Sequence, residues 1–123
     1  MAKRPLISVV DDDESVRESL PDLIREFGYE AHAFSSADEF LESDLVEQTN
    51  CLILDVAMPG RTGPELQREL TLRQQEIPII FITAGRDEMV RPRLLARGAV
   101  ECLFKPFGEL DLLRALKTAL GTT

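Results

Sequence analysis

The sequence predicts an α/β fold in which helices cover both faces of a parallel β-sheet. Short, nearly continuous apolar segments alternate along the chain with segments whose apolar residues recur at helical spacing. Strands that are apolar on both faces are typical of a parallel sheet buried between helices. Five such strand–helix units follow one another, and right-handed crossovers between them place helices on both faces.

Length and composition indicate one soluble domain that carries excess negative charge. The chain has 123 residues, of which 44% are hydrophobic and 29% are charged, and its net charge is −8. We therefore expect residues 1–123 to form a single domain. The charge disfavours nucleic acids and anionic membranes as direct partners and favours divalent cations or basic partners. No apolar segment is long enough to span a membrane, and residues 1–5 do not resemble a signal peptide, so we expect a cytoplasmic location.

The first half of the chain contains two strand–helix units and the start of a third. Residues 6–10 form the first strand, and the next helix ends at Gly28. The apolar face of that helix carries Val16, Leu20, Leu23, Ile24 and Phe27. Residues 30–34 are the least apolar strand and are expected at the edge of the sheet. Ser36 and Glu39 then predict a capping box for a short helix that carries Phe40 and Leu41.

The second half continues the alternation. A strand ends at Asp55, turn residues follow, and a second capping box at Thr62 and Glu65 begins a helix with Leu66 and Leu70 on its inner face. A strand ending at Thr83 is followed by a helix between residues 87 and 97, with Gly98 as its stop. The last strand covers residues 100–104. The last helix carries Leu110, Leu113, Leu116 and Leu120 and ends at Gly121. This pattern is typical of a flavodoxin-like, doubly wound sheet with strand order 2-1-3-4-5.

Two prolines interrupt the helical patterns. Pro21 falls inside the first helix, where a proline removes a backbone donor and costs about 3 kcal/mol, so we expect a kink there. Pro92 falls inside the fourth helical segment. We expect that helix to begin late, with Pro92 in its first turn.

Charged residues converge at the carboxyl ends of the predicted strands. Ligands of doubly wound sheets bind at this edge, where the strand order reverses between strands one and three. Asp11 and Asp12 follow strand one and Asp55 ends strand three, while Thr83 and Lys105 mark the ends of strands four and five. Asp13 and Glu14 precede a helix, and we interpret them as capping residues.

Three neighbouring carboxylates require protonation or a bound cation. Carboxylates, a backbone carbonyl and water are the ligands that Mg²⁺ prefers, and the absence of nearby His or Cys argues against zinc. A carboxylate beside Mg²⁺ can attack a phosphoryl group and form an aspartyl phosphate. A hydroxyl and a lysine would then bind the peripheral phosphoryl oxygens.

Four segments, VVDDDESVR, LILDVAMPGRTG, IIFITA and GAVECLFKPF, resemble the receiver domain of bacterial two-component response regulators. Their order matches over essentially the whole chain. The sequence is most similar to receivers of the nitrogen-fixation-regulator-like group, whose output is a LuxR-type DNA-binding domain. The resemblance therefore implies a signalling phosphoacceptor rather than a turnover enzyme.

The resemblance also implies roles for individual residues. Asp55 would accept a phosphoryl group from a histidine kinase or phosphotransfer protein. Mg²⁺ would be held by Asp11, Asp12, Asp55 and the backbone carbonyl of Ala57. Thr83 and Lys105 would bind phosphoryl oxygens, and the bond between Lys105 and Pro106 would be cis. Phosphorylation would change the surface formed by the fourth helix, the fifth strand and the fifth helix. The resemblance implies two further partners. One is a second copy of the chain, through dimerisation on phosphorylation, and the other is DNA, contacted through an output domain outside this chain.

One position departs from the family. Receivers usually carry Tyr or Phe three residues before this lysine, as a switch coupled to the threonine, whereas this chain has Cys102. Either backbone shifts alone carry the switch, or Phe104 or Phe107 substitutes for the missing ring. Cys102 and Cys51 are expected to be buried free thiols too far apart for a disulfide. His32, on the edge strand, is expected at the surface.

Other functions remain open on the residues alone. A Mg²⁺-dependent phosphatase would usually carry a second acid two residues after the nucleophile, where this chain has Ala57. A flavin-binding module would need a phosphate-binding loop after strand one, where this chain has four acids. Within the receiver interpretation, the domain either shuttles phosphoryl groups alone or controls an attached DNA-binding domain, and the final LGTT resembles the start of a linker.

Overall fold

Five parallel strands form one sheet in the order β2-β1-β3-β4-β5 in a computed structural model, which describes residues 4–85 and 87–121. The strands are β1 Leu6–Val10, β2 Glu30–Phe34, β3 Cys51–Asp55, β4 Ile79–Thr83 and β5 Glu101–Phe104. The helices are α1 Glu14–Glu26, α2 Ala37–Leu41, α3 Gly63–Leu72, α4 Val90–Ala96 and α5 Glu109–Leu120. The flavodoxin-like fold is therefore confirmed, with β2 at the edge as predicted. No helix in the described ranges has the length and apolarity needed to cross a membrane.

The core has two layers, one on each face of the sheet. Every residue of β1, β3 and β4 is buried, and alternate residues point into opposite layers. Phe40, Leu66 and Leu94 from α2, α3 and α4 pack in one layer. Ile24 and Leu112 from α1 and α5 pack in the other. This arrangement leaves the carboxyl edge of the sheet as the place where polar side chains from several strands can meet.

The two cysteines lie in different layers. Cys51 packs in the α1–α5 layer and Cys102 in the α2–α4 layer, on strands separated by β4. Both are buried free thiols, as predicted. Burial raises the pKa of the Cys51 thiol to about 12, so it remains protonated.

Local side-chain signals set most of the helix ends. Asp13 caps α1 by accepting from the Ser15 amide, and Thr62 and Glu65 form the predicted reciprocal capping box of α3. At α2 the prediction is only half right. The Ser36 hydroxyl accepts from the Glu39 amide, but the Glu39 carboxylate accepts from the neighbouring Ser35 hydroxyl instead of closing the box. The predicted stops Gly28, Gly98 and Gly121 all have positive φ.

The prolines have different effects. α1 runs uninterrupted through Pro21, which is buried on its inner face, and the kink itself stays a prediction. α4 begins at Val90, which places Pro92 in its first turn as expected. The core face of α5 differs from the leucine pattern: Leu112 and Leu116 are buried, whereas Leu110 is 67% exposed.

Candidate functional site

The ends of β1 and β3 bring three carboxylates together. These strands are neighbours, and Val10 lies opposite Leu54 in their parallel register. Asp11 follows Val10 and Asp55 follows Leu54, so the two carboxylates lie side by side at this edge of the sheet. Oxygen atoms of Asp11, Asp12 and Asp55 all lie within 4.8 Å of one another. Asp11 is fully buried and Asp55 nearly so, whereas Asp12 is exposed.

Lys105 faces this cluster from the end of β5. Its Nζ donates a hydrogen bond of 2.9 Å to Asp11 Oδ2 and lies 3.9 Å from Asp55 Oδ1. The Lys105 amide donates to the carbonyl of Thr83 at 2.8 Å, which ties the end of β5 to β4. The bond between Lys105 and Pro106 is cis, as the resemblance implied. The structure thus brings together all four charged residues that the sequence analysis singled out.

Backbone contacts orient the buried Asp11. Its Oδ1 accepts from the Asp13 amide at 2.9 Å, so both carboxylate oxygens are engaged. Its backbone carbonyl accepts from the Arg17 guanidinium at 3.0 Å. Sequence reasoning missed Arg17. This contact could have been predicted from the position of Arg17, one turn after the Asp13 cap, because a long side chain there can reach back to the loop before the helix.

Burial and neighbouring charges together shift two pKa values in the site. Burial raises the pKa of Asp55 to about 7, and the neighbouring charge of Asp11 adds to the effect, while Lys105 opposes it. Burial alone would lower the pKa of Lys105. The hydrogen bond to Asp11 and the charges of Asp55 and Asp11 outweigh burial and raise the pKa of Lys105, which keeps it an ammonium. The site therefore combines Lys105, which stays positively charged, with Asp55, whose ionised form is disfavoured unless a compensating charge is present.

Thr83 and Ala57 border the cluster in different ways. Thr83 is buried at the end of β4, beside β3, and its hydroxyl accepts from the Gly85 amide at 3.0 Å. Ala57 lies in an exposed part of the loop, two residues after Asp55. Its backbone carbonyl as a ligand remains an expectation, since the observed cluster consists of side chains.

Gly63 holds the loop after Asp55 close to the sheet. Its amide donates to the carbonyl of Val56 at 3.1 Å. A Cβ at this position would clash with the backbone oxygen of Asp55 and lie 3.0 Å from the ring of Phe81. Sequence reasoning treated this glycine only as turn chemistry, because the close approach involves residues from two strands.

The remaining candidates lie beside the cluster or away from it. Cys102 is buried on the α4 side of β5, and burial raises the pKa of its thiol. Phe104 is 36% exposed and lies opposite Thr83 in the register of β4 and β5. Phe107 packs partly buried against the α1–α5 layer. His32 is exposed on the edge strand, as predicted.

A flavodoxin-like sheet with an acidic cluster across β1 and β3 and a lysine at the end of β5 is the arrangement that the resemblance to receiver domains implied. The family model for the response regulator receiver domain matches residues 7–117. The chain belongs to this family.

Known relatives agree with the predicted subgroup. Nodulation protein W of Bradyrhizobium diazoefficiens is 44% identical over 116 residues, which are 94% of this chain and 51% of that protein. The transcriptional regulatory protein FixJ of Azorhizobium caulinodans is 34% identical over 115 residues, which are 94% of this chain and 54% of that protein. The structure of response regulator StyR superposes with a TM-score of 0.88 at 47% identity, covering 96% of this chain and 60% of that one. The chain thus spans about half the length of the curated relatives that it matches.

Proposed function

We propose that residues 1–123 form a phosphoacceptor domain in which Asp55 receives a phosphoryl group from a histidine kinase or phosphotransfer protein, with Mg²⁺ as cofactor. The observation that carries this proposal is the convergence of Asp11, Asp12 and Asp55, with Lys105 at 2.9 Å from Asp11. Solvated surface acids would not need a lysine whose side chain is only 21% exposed. A catalytic carboxylate that must meet a phosphoryl group does.

The donor set fits a hard divalent cation. All three side chains offer carboxylate oxygens, and Asp12 is exposed, which leaves an open side for water or phosphoryl oxygens. Asp11, Asp12, Asp55 and the carbonyl of Ala57 would hold Mg²⁺. The ion would supply positive charge against the incoming phosphoryl oxygens and favour the ionised form of Asp55.

The residues divide the chemistry between them. An oxygen of ionised Asp55 attacks the phosphorus of a phosphohistidine. The new O–P bond forms as the P–N bond breaks, and the imidazole leaves with the bonding pair and then takes up a proton. The Lys105 ammonium and the Thr83 hydroxyl donate hydrogen bonds to the oxygens of the transferred group. Hydrolysis of the resulting acyl phosphate would return Asp55 to its starting state.

A neighbouring groove suits the phosphoryl donor. It has a volume of about 500 Å³ and runs between α1 and the segment after β5. Val16, Leu20 and Phe107 give it apolar walls, and Lys105 is also part of its lining. A helix of the donor that packs there would bring its histidine to Asp55.

The phosphorylated domain would act through a partner surface. FixJ is named a transcriptional regulatory protein, and this chain spans about half its length. We therefore propose a cytoplasmic regulator in which the α4–β5–α5 surface controls a LuxR-type DNA-binding domain outside this chain, with dimerisation on phosphorylation as one route. The stand-alone shuttle is the alternative.

The switch must work without an aromatic residue at position 102. Phe104 lies opposite Thr83 and is already partly exposed, so a movement of Thr83 towards the phosphoryl group can be passed to it through the β4–β5 ladder. Comparing free and phosphorylated structures tests this role. Unmoved rings at both Phe104 and Phe107 would leave backbone shifts as the only switch.

Acetyl phosphate provides the decisive test of the phosphoacceptor. With Mg²⁺, we expect intact-mass measurement to show one added phosphoryl group on the wild type and none on Asp55→Ala. Chelation of the metal should also abolish the addition. As a matched control, Asp44→Ala removes an exposed carboxylate and should be modified like the wild type. Modification of the Asp55→Ala protein would show that another residue is the acceptor.

A further inference from the structure

The α3–α4 side of this acidic protein carries the opposite charge. The described residues between positions 56 and 100 include six arginines and five acidic residues, a net charge of +1 within a chain of net charge −8. It includes α3, α4 and the loops on either side of them. A local reversal of charge on an acidic domain favours acidic partners at that side alone.

The outer face of α3 carries two apolar residues with an arginine between them. Pro64, Arg68 and Leu72 follow one another at intervals of four residues and therefore lie along one face of the helix. Leu72 is 71% exposed. These residues line a groove of about 470 Å³ whose other wall is Arg97, at the end of α4.

One hydrogen bond links the two walls of the groove, and a second cavity lies beside it at the end of α3. The Gln67 side-chain amide donates to the carbonyl of Arg97 at 3.3 Å and holds the two helices together. A second cavity of about 490 Å³ adjoins the first and shares Gln67, Thr71 and Arg97 with it. Leu70 and Ile77 also line the second cavity, and each cavity has one acidic residue in its lining, Glu65 in the first and Glu76 in the second.

The two arginines in the groove are available to a partner. Within residues 4–85 and 87–121, neither Arg68 nor Arg97 forms an ion pair. By contrast, Arg61, Arg73 and Arg91 pair with acids of this chain. Arg68 and Arg97 are exposed, so a carboxylate can reach them without displacing an internal partner.

We propose that this groove, defined by Pro64, Arg68, Leu72 and Arg97, binds an acidic amphipathic helix of a partner protein. Apolar side chains of that helix pack on Leu72 and Pro64, and its carboxylates pair with Arg68 and Arg97. This partner surface lies on α3 and the end of α4. It is separate from the Asp55 site and does not depend on the function proposed for that site.

Charge and symmetry favour this occupant over two others. Nucleic acid would be repelled by the net charge of −8. A second copy would have to place its own acidic side against the groove. That contact is heterologous and joins two proteins of like net charge, so it does not close into a dimer.

The test uses a synthetic helical peptide in which leucine and glutamate alternate at helical spacing, and a counterpart with lysine in place of glutamate. We expect saturable binding of the glutamate peptide by fluorescence anisotropy and no binding of the lysine peptide. Amide NMR shifts on binding should map to α3 and the end of α4. The double variant Arg68→Glu/Arg97→Glu should weaken binding about tenfold or more, since two exposed ion pairs become repulsions.

A second double variant separates this surface from overall charge. Arg114→Glu/Lys117→Glu makes the same change in net charge on the exposed side of α5 and should bind the peptide nearly as tightly as the wild type. Leu72→Ser should weaken binding while leaving the thermal transition in place. Equal losses in both double variants, shifts confined to α1 or α5, or no binding of the glutamate peptide would overturn the proposal. Concentration-dependent self-association abolished by Arg68→Glu/Arg97→Glu would assign the groove to a second copy instead.

Discussion

Replacing Asp55 by asparagine should stabilise the metal-free protein at alkaline pH. The site places Asp55 beside two other carboxylates, and one of them, Asp11, is fully buried. Burial first, and then the Asp11 charge, raises the pKa of Asp55 from 3.8 to about 7. An asparagine of nearly the same shape removes the charge that causes this repulsion.

The magnitude follows from linkage. Below pH 3.8 the carboxyl group is protonated in both the folded and unfolded states, so it adds no pH dependence. Between pH 3.8 and about 7 the unfolded state loses the proton while the folded state keeps it, so the free energy of unfolding falls as pH rises. Above pH 7 the loss is complete. A shift of about three pKa units corresponds to about 4 kcal/mol, and solvent at the open side of the site reduces this to about 1–3 kcal/mol.

Chemical denaturation in the presence of a chelator measures this effect. We expect Asp55→Asn to exceed the wild type in free energy of unfolding at pH 8 and the difference to shrink towards pH 4. Asp44→Asn, which removes an exposed carboxylate, should change stability by less than about 0.5 kcal/mol at either pH. Added Mg²⁺ should raise the melting temperature of the wild type more than that of Asp55→Asn. The reasoning is refuted if Asp55→Asn is no more stable than the wild type at pH 8, or if its effect does not vary with pH.

Three further substitutions test local features of the fold by thermal and urea denaturation. Gly63→Ala should destabilise the protein by about 2–4 kcal/mol, because its methyl group meets the backbone oxygen of Asp55 at the end of β3. Gly108→Ala, whose methyl group would make only an ordinary van der Waals contact, should cost a few tenths. Gln74, at φ 60°, takes the left-handed position that glycine takes after α1 and α4, so Gln74→Gly should stabilise by about 0.5–1 kcal/mol. Gln75→Gly, at an ordinary φ, should not stabilise, and equal effects at both positions would contradict this explanation. Thr62→Ala should cost about 1 kcal/mol by removing the capping box of α3, and no loss would show that the cap is redundant.

The strands and their order could be predicted because the hydrophobic pattern of each strand reflects how deeply that strand is buried. A segment such as residues 51–54 is apolar at every position, which requires burial on both faces. Helix ends were predictable for the same reason, since a cap such as Thr62 acts on amides within one turn. The exposure of Leu110 was not predictable, because which side of α5 faces the sheet depends on how the whole helix is placed by α1 and β5.

The convergence of the charged side chains could be predicted from the sequence, but their fine geometry could not. Parallel strands end at one edge, so Asp11, Asp55 and Lys105 had to approach one another once the strand order was known. Contacts between residues that are distant in the sequence were harder to predict, because no local sequence pattern marks them. Arg17 reaches back to the carbonyl of Asp11, and Gly63 is required by backbone that precedes it by several residues. Neither residue type is unusual where it stands.

The energetics of the fold and of the site are linked. β1, β3 and β4 are buried along their whole length, and this burial stabilises the domain enough to tolerate carboxylates crowded at the ends of two of them. Burial and crowding leave the free site with unfavourable electrostatic energy, which a cation or a change in the charge of Asp55 alters by about 1–3 kcal/mol. If Asp55 is the phosphoacceptor proposed above, its modification would therefore shift the balance between conformations of the neighbouring loops and of the end of β5, where Lys105 and Phe104 lie. A site without that crowding would bind its ligands with less effect on the rest of the domain.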